Sequence, residues 1–298
     1  MAMPMETTVA DRLRAVLPDL PAAERRVARV LLNNYPVAGL ETVARVAKKS
    51  GTSGPTVLRL ATRLGMSGYS ELQQALRDEL EVRERSPLMA YGAQRPHDED
   101  IQATAAALLG QAVTASVTAV ERADFDHAVK LLVAPKARLF VTGGRFSGVA
   151  AEYLVAHLQQ LRPGVSVVRS PDFVPTLLDL GRRDVVVAFD LRRYQADVVG
   201  FGRSAADRGA KVILITDPWM SPLSRQAEVV LSAEVSAPSP FDSLVPCMAL
   251  VETLVAGIVD VLGDEPRRRI AAYDESWARQ FGTIASHEAQ EAPEQQEA

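Results

Sequence analysis

With a single cysteine, Cys247, the chain of 298 residues cannot form an intrachain disulfide, and a reducing compartment is expected. The four histidines, His97, His127, His157 and His287, are widely dispersed, so no metal-ligand spacing is present and no metal is expected. No run of about 18 apolar residues is free of charge, which argues against a simple membrane-spanning helix. The opening MAMPMETTVADRLR lacks the basic start, apolar run and small-residue cleavage site of a secretory leader. A cytoplasmic protein without membrane contact is the expectation. There is no internal repeat at solenoid periods.

Charge is present but unevenly spread. From Pro21 to Ser70 eight basic side chains (Arg25, Arg26, Arg29, Arg45, Lys48, Lys49, Arg59, Arg63) stand against Glu24 and Glu41, within a chain whose net charge is −4. A basic segment on an acidic remainder points to a polyanionic partner for the first part alone.

That first part is helical by period. Val9, Leu13, Val16 and Leu17 open it, a second helix spans Ala23 to Leu32, and Asn33, Asn34 and Pro36 break the pattern. A short helix over Glu41–Lys49, the turn Ser50-Gly51-Thr52 and a helix from Ser53 to Leu64 have the spacing of a helix-turn-helix. Ser53 suits the N-cap, Pro55 the first turn, and Gly65 the stop. Val57, Leu60, Ala61 and Leu64 fall on one face, which sets Gly54, Pro55, Thr56, Arg59, Thr62 and Arg63 outward. Such a face suits a major groove, with Ser53, Thr56, Arg59 and Arg63 near base edges and Arg45, Lys48 and Lys49 near phosphates. A further helix is predicted from Ser70 to about Val82, which closes a domain over residues 1–82.

Residues 83–99, with two prolines and no period, read as a linker. Beyond them an alanine-rich helix over Asp100–Val120 and another over Phe125–Val133 precede five short apolar strands. These are predicted at Arg138–Val141, Val165–Arg169, Val185–Phe189, Val212–Ile215 and Val229–Leu231, and helices near Ser147–Leu161, Pro175–Leu180, Gln195–Arg208 and Ser221–Gln226 separate them. Alternation of this kind predicts a five-stranded parallel sheet in an α/β three-layer sandwich. Helices over Ser243–Leu262 and Glu265–Phe281 end a domain spanning 100–281. The polar, acidic remainder, 282–298, is expected to be disordered.

The stretches Ala23-Glu24-Arg25-Arg26-Val27-Ala28, Thr56-Val57-Leu58-Arg59 and Leu64-Gly65-Met66-Ser67-Gly68-Tyr69-Ser70-Glu71-Leu72 resemble the N-terminal domain of RpiR/MurR-type bacterial transcriptional regulators. LFVTGGRFSGVAAEYLVAHL and GAKVILITDPWMSPLSRQAEVVL resemble parts of the sugar isomerase (SIS) domain that such regulators carry. The resemblance implies an all-α helix-turn-helix domain followed by a flavodoxin-like α/β sandwich that binds phosphosugars.

Gly143 and Gly144 allow a sharp turn, and the amides of Gly144 to Gly148 with the hydroxyl of Ser147 offer donors to an anion. GGRFSG is not the spaced GxGxxG of a dinucleotide fold, so neither NAD nor any other cofactor is expected. In the family the third strand ordinarily ends in Ser-x-Ser-Gly-x-Thr-x-Glu, whose hydroxyls grip a sugar phosphate. Here Asp190, Leu191, Arg192, Arg193, Tyr194, Gln195, Ala196 and Asp197 stand in register, and all three hydroxyl positions are changed. Arginine pairs suit a carboxylate or phosphate. Asp190 is either an acceptor for the ligand or the partner of an internal ion pair with Arg192 or Arg193. In SPFDSLVP, Asp242 is expected to cap the following helix.

Gly144, Ser147, Asp190, Arg192, Arg193 and Tyr194 are thus the expected effector contacts, with no catalytic residue assigned. The function implied is a regulator binding operator DNA and an anionic effector, as a homodimer or higher oligomer. The alternative is a sugar-phosphate aldose-ketose isomerase, for which Asp190, Asp217 and Asp242 are the candidate bases.

Overall fold

A computed structural model describes residues 8–33, 35–84, 87, 88, 91 and 100–282. The expected linker falls largely outside these residues, and the expected acidic tail does so beyond Gly282.

The N-terminal part contains helices only: α1 (Val9–Val16), α2 (Ala22–Asn33), α3 (Val37–Leu40), α4 (Val43–Ser50), α5 (Gly54–Arg63) and α6 (Tyr69–Glu84). Helix α1 begins with a reciprocal cap: Thr8 Oγ1 accepts the Asp11 amide, and the Asp11 carboxylate accepts the Thr8 amide. The helices close around Leu13, Val27, Leu31, Val46, Val57, Leu60, Leu72 and Leu76. Helix α3 was not foreseen, because Pro36 marks a break in the pattern and a four-residue helix carries no period of its own. Gly39 on α3 sits against Leu72 and Leu76 of α6, where a side chain would not fit.

The rest holds α7 (Ile101–Ala119), α8 (Arg122–Leu132), β1 (Leu139–Gly143), α9 (Gly148–Leu161), β2 (Val165–Val167), α10 (Phe173–Asp179) and β3 (Val185–Asp190). These lead into α11 (Ala196–Asp207), β4 (Lys211–Thr216), β5 (Val229–Ser232), α12 (Val245–Leu262) and α13 (Arg267–Phe281). All strand pairs are parallel, in the order β2-β1-β3-β4-β5. Every residue of β3 is buried, as an apolar run with no alternation requires when helices cover both faces. On one face α8, α9 and α12 share a core with Leu139, Val141, Val187 and Ile213; on the other α10 and α11 pack on Val186, Ala188 and Leu214.

Helix α12 is long and apolar enough to span a membrane by length and composition alone. Its Cys247, Leu250, Val251, Leu254 and Ile258 are instead wholly buried in the sheet's core. The helix expected over Ser221–Gln226 is a single 3-10 turn, Pro222–Arg225, too short for a further turn before β5.

Candidate nucleic-acid interface and ligand crevice

Helices α4 and α5 meet at a turn built by Gly51, whose φ of 60° is the left-handed conformation that glycine enters without strain. Arg26 of α2 donates to the carbonyls of Ser50 and Gly51, and Ser50 Oγ returns to Val46 O at 2.8 Å, so the turn is held from both sides. Val57, Leu60, Ala61 and Leu64 anchor α5 inward. Ser53, Pro55, Leu58, Arg59, Thr62 and Arg63 are exposed, as are Arg45, Lys48 and Lys49 on α4.

Thr56 is a correction. It is buried, and its hydroxyl meets Ser53 Oγ at 3.0 Å and accepts from Arg59 Nη2 at 3.1 Å. At ~100° per residue Thr56 lies ~40° from Leu60 but ~60° from Arg59, so it turns toward the core side. The same geometry brings Leu58 outward, where it is 44% exposed. Ser53 occupies the N-cap position, yet its hydroxyl bonds Thr56 and not a backbone amide.

Three of the expected DNA contacts are tethered. Glu24 on α2, almost fully buried, lies 2.6 Å from Arg63 Nε and 3.5 Å from Arg59 Nε. Lys49 pairs with Glu41 at 2.7 Å. Lys48 makes no ion pair among the described residues.

In the second part, β1 lies between β2 and β3, so the loops after β1 and β3 leave the carboxyl edge side by side where the strand order reverses. Ser147 joins them: its hydroxyl donates to Phe189 O and accepts the Gly144 amide, each at 2.8 Å. The Arg145 amide donates to the side-chain oxygen of Gln195, and the Gly148 amide to Gly144 O at 2.8 Å. The amides of Gly144, Arg145 and Gly148 and the Ser147 hydroxyl, expected to hold an anion, are therefore engaged within the protein. For Arg145 and Ser147 sequence spacing cannot show this, because their partners lie 50 and 42 residues away.

Asp190 is likewise turned inward. It is 1% exposed, accepts the Ser221 hydroxyl and takes the Gln195 amide at 3.1 Å. Burial pushes its carboxyl up to about 6 against these two bonds. Among the described contacts of Asp190 there is no ion pair with Arg192 or Arg193. Arg192 instead pairs with Asp242 at 2.8 Å, and its guanidinium lies 4.6 Å from the centre of the Trp219 ring. Asp242 therefore does not cap α12; Ser243 Oγ accepts the Val245 amide at 3.1 Å in its place.

The residue that organises the loop is Asp217, at the end of β4. Wholly buried, it accepts the Arg192 amide, the Tyr194 hydroxyl at 2.8 Å and the Trp219 amide at 2.9 Å. Burial raises its pKa, and the three donors oppose the shift. This clamp holds Arg192 at φ 62°, a left-handed conformation costly for a side chain with Cβ. Of the expected effector residues, Arg193 alone has an exposed side chain; Arg145, on the facing loop, is a second exposed cation. Sequence reasoning named Asp217 only as a candidate base and Gln195 only as a register position, and it missed Trp219, although DPW directly follows an apolar strand and so sits on the same carboxyl edge.

Two domain descriptions match the chain: "Helix-turn-helix domain, rpiR family" over residues 7–83 and "SIS domain" over residues 131–257. The chain carries an rpiR-family helix-turn-helix domain ahead of a SIS domain. The regulator HexR of Pseudomonas aeruginosa is 26% identical over 260 residues, which cover 85% of this chain and 86% of that one. The bifunctional protein glk of Paraburkholderia xenovorans is 28% identical over 235 residues, and the aligned part spans only 35% of that protein. Among solved structures, the Vibrio vulnificus NanR protein complexed with ManNAc-6P superposes with a TM-score of 0.55 at 20% identity, covering 92% of this chain and 99% of that one. The sugar isomerase domain of an RpiR transcription factor from Sphaerobacter thermophilus gives 0.50 at 24% identity, over 60% and 96% of the two chains. These likenesses at low identity establish the fold.

Proposed function

We propose that the chain is a metabolite-responsive transcriptional regulator of the cytoplasm, binding operator DNA through α4 and α5 and a small anionic effector in the crevice between the β1 and β3 loops. The observation that carries this reading is the exposed face of α5, with Leu58, Arg59, Thr62 and Arg63 together and basic Arg45 and Lys48 beside them. A leading turn of small residues admits the helix to the major groove, arginine bonds guanine, and leucine meets a thymine methyl. One such helix reads few bases, so a homodimer on two half-sites is the form expected to act.

The crevice supports sensing more than isomerisation. An enediol mechanism needs a carboxylate free to take a proton from carbon. Asp190 and Asp217 are buried and hydrogen-bonded, and Asp242 is paired with Arg192. Phosphosugars enter as one effector class through the relative bound to ManNAc-6P, and carboxylates as the other. Anisotropy titration of labelled DNA from beside the gene, with and without members of both classes, tests the reading. Release or tightening by an anion is expected. Turnover of a sugar phosphate at enzymatic rates would contradict it.

A further inference from the structure

Gly144 raises a question that the turn does not answer. At Gly143 a side chain would lie 2.8 Å from the backbone of Ser147 and Gly148, so the tight turn itself demands glycine there. Gly144 has no left-handed φ. A Cβ at Gly144 would instead overlap the side-chain oxygen of Gln195, a residue from the other loop. That oxygen accepts the Arg145 amide, whereas the Gln195 side-chain nitrogen makes no bond among the described residues. The Gln195 backbone is anchored separately by Asp190 at 3.1 Å. The carboxamide can therefore swing away without moving the start of α11.

We propose that the Gln195 carboxamide is the resting occupant of a carboxylate site, and that a small hydroxycarboxylate displaces it, placing one oxygen on the Arg145 amide beside the exposed side chains of Arg145 and Arg193. This rests on the effector-binding reading above and narrows its ligand class. A carboxylate has the planar, two-position head of the carboxamide it replaces. A phosphate is tetrahedral and carries more charge, and the neighbouring acids Asp190 and Asp197 disfavour further negative charge at this end of α11. Residues 190–197 contain no serine or threonine, the hydroxyls with which the family ordinarily grips a phosphate at this strand end.

Calorimetric titration of the full-length protein with glycerate and gluconate, and with inorganic phosphate and glucose 6-phosphate, provides the test. Removing an internal competitor raises apparent affinity by the reciprocal of the fraction of time the site stood open. Gln195→Ala should bind a hydroxycarboxylate about tenfold more tightly than the wild type, with phosphates gaining nothing. Gln195→Glu, whose own carboxylate fills the place, and Gly144→Ala, which removes the space, should both lose binding. Gln195→Ser provides a second opened variant, and melting curves of all four establish that they fold. Equal hydroxycarboxylate affinity in the wild type and both opened variants would overturn the proposal, as would a gain confined to the phosphates. Binding of no anion by any form would overturn the effector reading along with it.

Discussion

The carboxylate of Glu24 on α2 lies 2.6 Å from Arg63 Nε and 3.5 Å from Arg59 Nε on α5, so one buried acid holds both arginines of the exposed face. Glu24, one of two acids in the basic segment, ties α5 to the domain core. The arginine side chains remain 61% and 53% exposed, so solvent screens the attraction and the stabilisation is modest.

Glu24→Gln should therefore cost about 1 kcal/mol of stability and release two guanidiniums. The freed cations should strengthen binding to arbitrary DNA and steepen its dependence on salt. Urea unfolding and salt-series titration with unrelated duplexes check the two halves separately. Unchanged non-specific affinity would mean that the negative charge of Glu24 does not oppose the approach of DNA to this face.

Arg59→Ala and Lys48→Ala should fail differently. Loss of a bidentate base contact costs about 1 to 3 kcal/mol on the preferred sequence and little elsewhere. Loss of Lys48 should weaken all sequences alike and lower the salt slope by about 1. Paired titrations on specific and scrambled duplexes separate the roles, and identical profiles for the two variants would contradict the assignment.

Periodicity carried much of the fold. Alternating apolar runs and helical patterns placed five strands to within a residue or two, because parallel strands buried on both faces must be continuously apolar. The inward set Val57, Leu60, Ala61 and Leu64 followed from the same rule. What spacing could not reveal were partners distant along the chain. Arg145 and Gln195, 50 residues apart, meet through the loops of β1 and β3, and Arg192 and Asp242 meet across the same interval. A charged residue after a strand reads the same whether it faces ligand or clamps a loop, and only the fold assigned Asp190 and Asp217 to the interior.

The two neighbouring arginines of that loop should behave oppositely. Arg192→Ala should destabilise the protein, since the ion pair with Asp242 and the stack on Trp219 are lost while a Cβ stays at φ 62°. Arg192→Gly should recover about 1 kcal/mol of that loss by relieving the backbone. Arg193→Ala should melt like the wild type and weaken anion binding. Thermal melts and calorimetry distinguish them, and a destabilised Arg193→Ala variant would refute the division.

Asp190 sets a pH dependence whose sign is fixed by burial. Its folded value of about 6 exceeds the unfolded value of 3.8, so the folded chain holds the extra proton between these limits. Its contribution is most favourable below about pH 4, is lost as pH rises, and reaches its full cost above about pH 6. Asp190→Asn keeps an acceptor for Ser221 and the Gln195 amide and removes the ionisation. The variant should gain on the order of 2 to 3 kcal/mol relative to the wild type between pH 4 and pH 8. Urea unfolding across that range checks it, and parallel curves would show that the carboxyl is not held protonated.

Selection of duplexes from a random pool by the full-length protein, followed by salt-controlled affinity measurement on the enriched sequence, tests the regulator reading most directly. The account predicts enrichment of two inverted half-sites about one helical turn apart or a multiple of it, bound at least ~10³-fold more tightly than scrambled DNA, with most of that preference lost in Arg59→Ala. Failure of any sequence to enrich, with equal affinity for all duplexes at physiological salt, would contradict it.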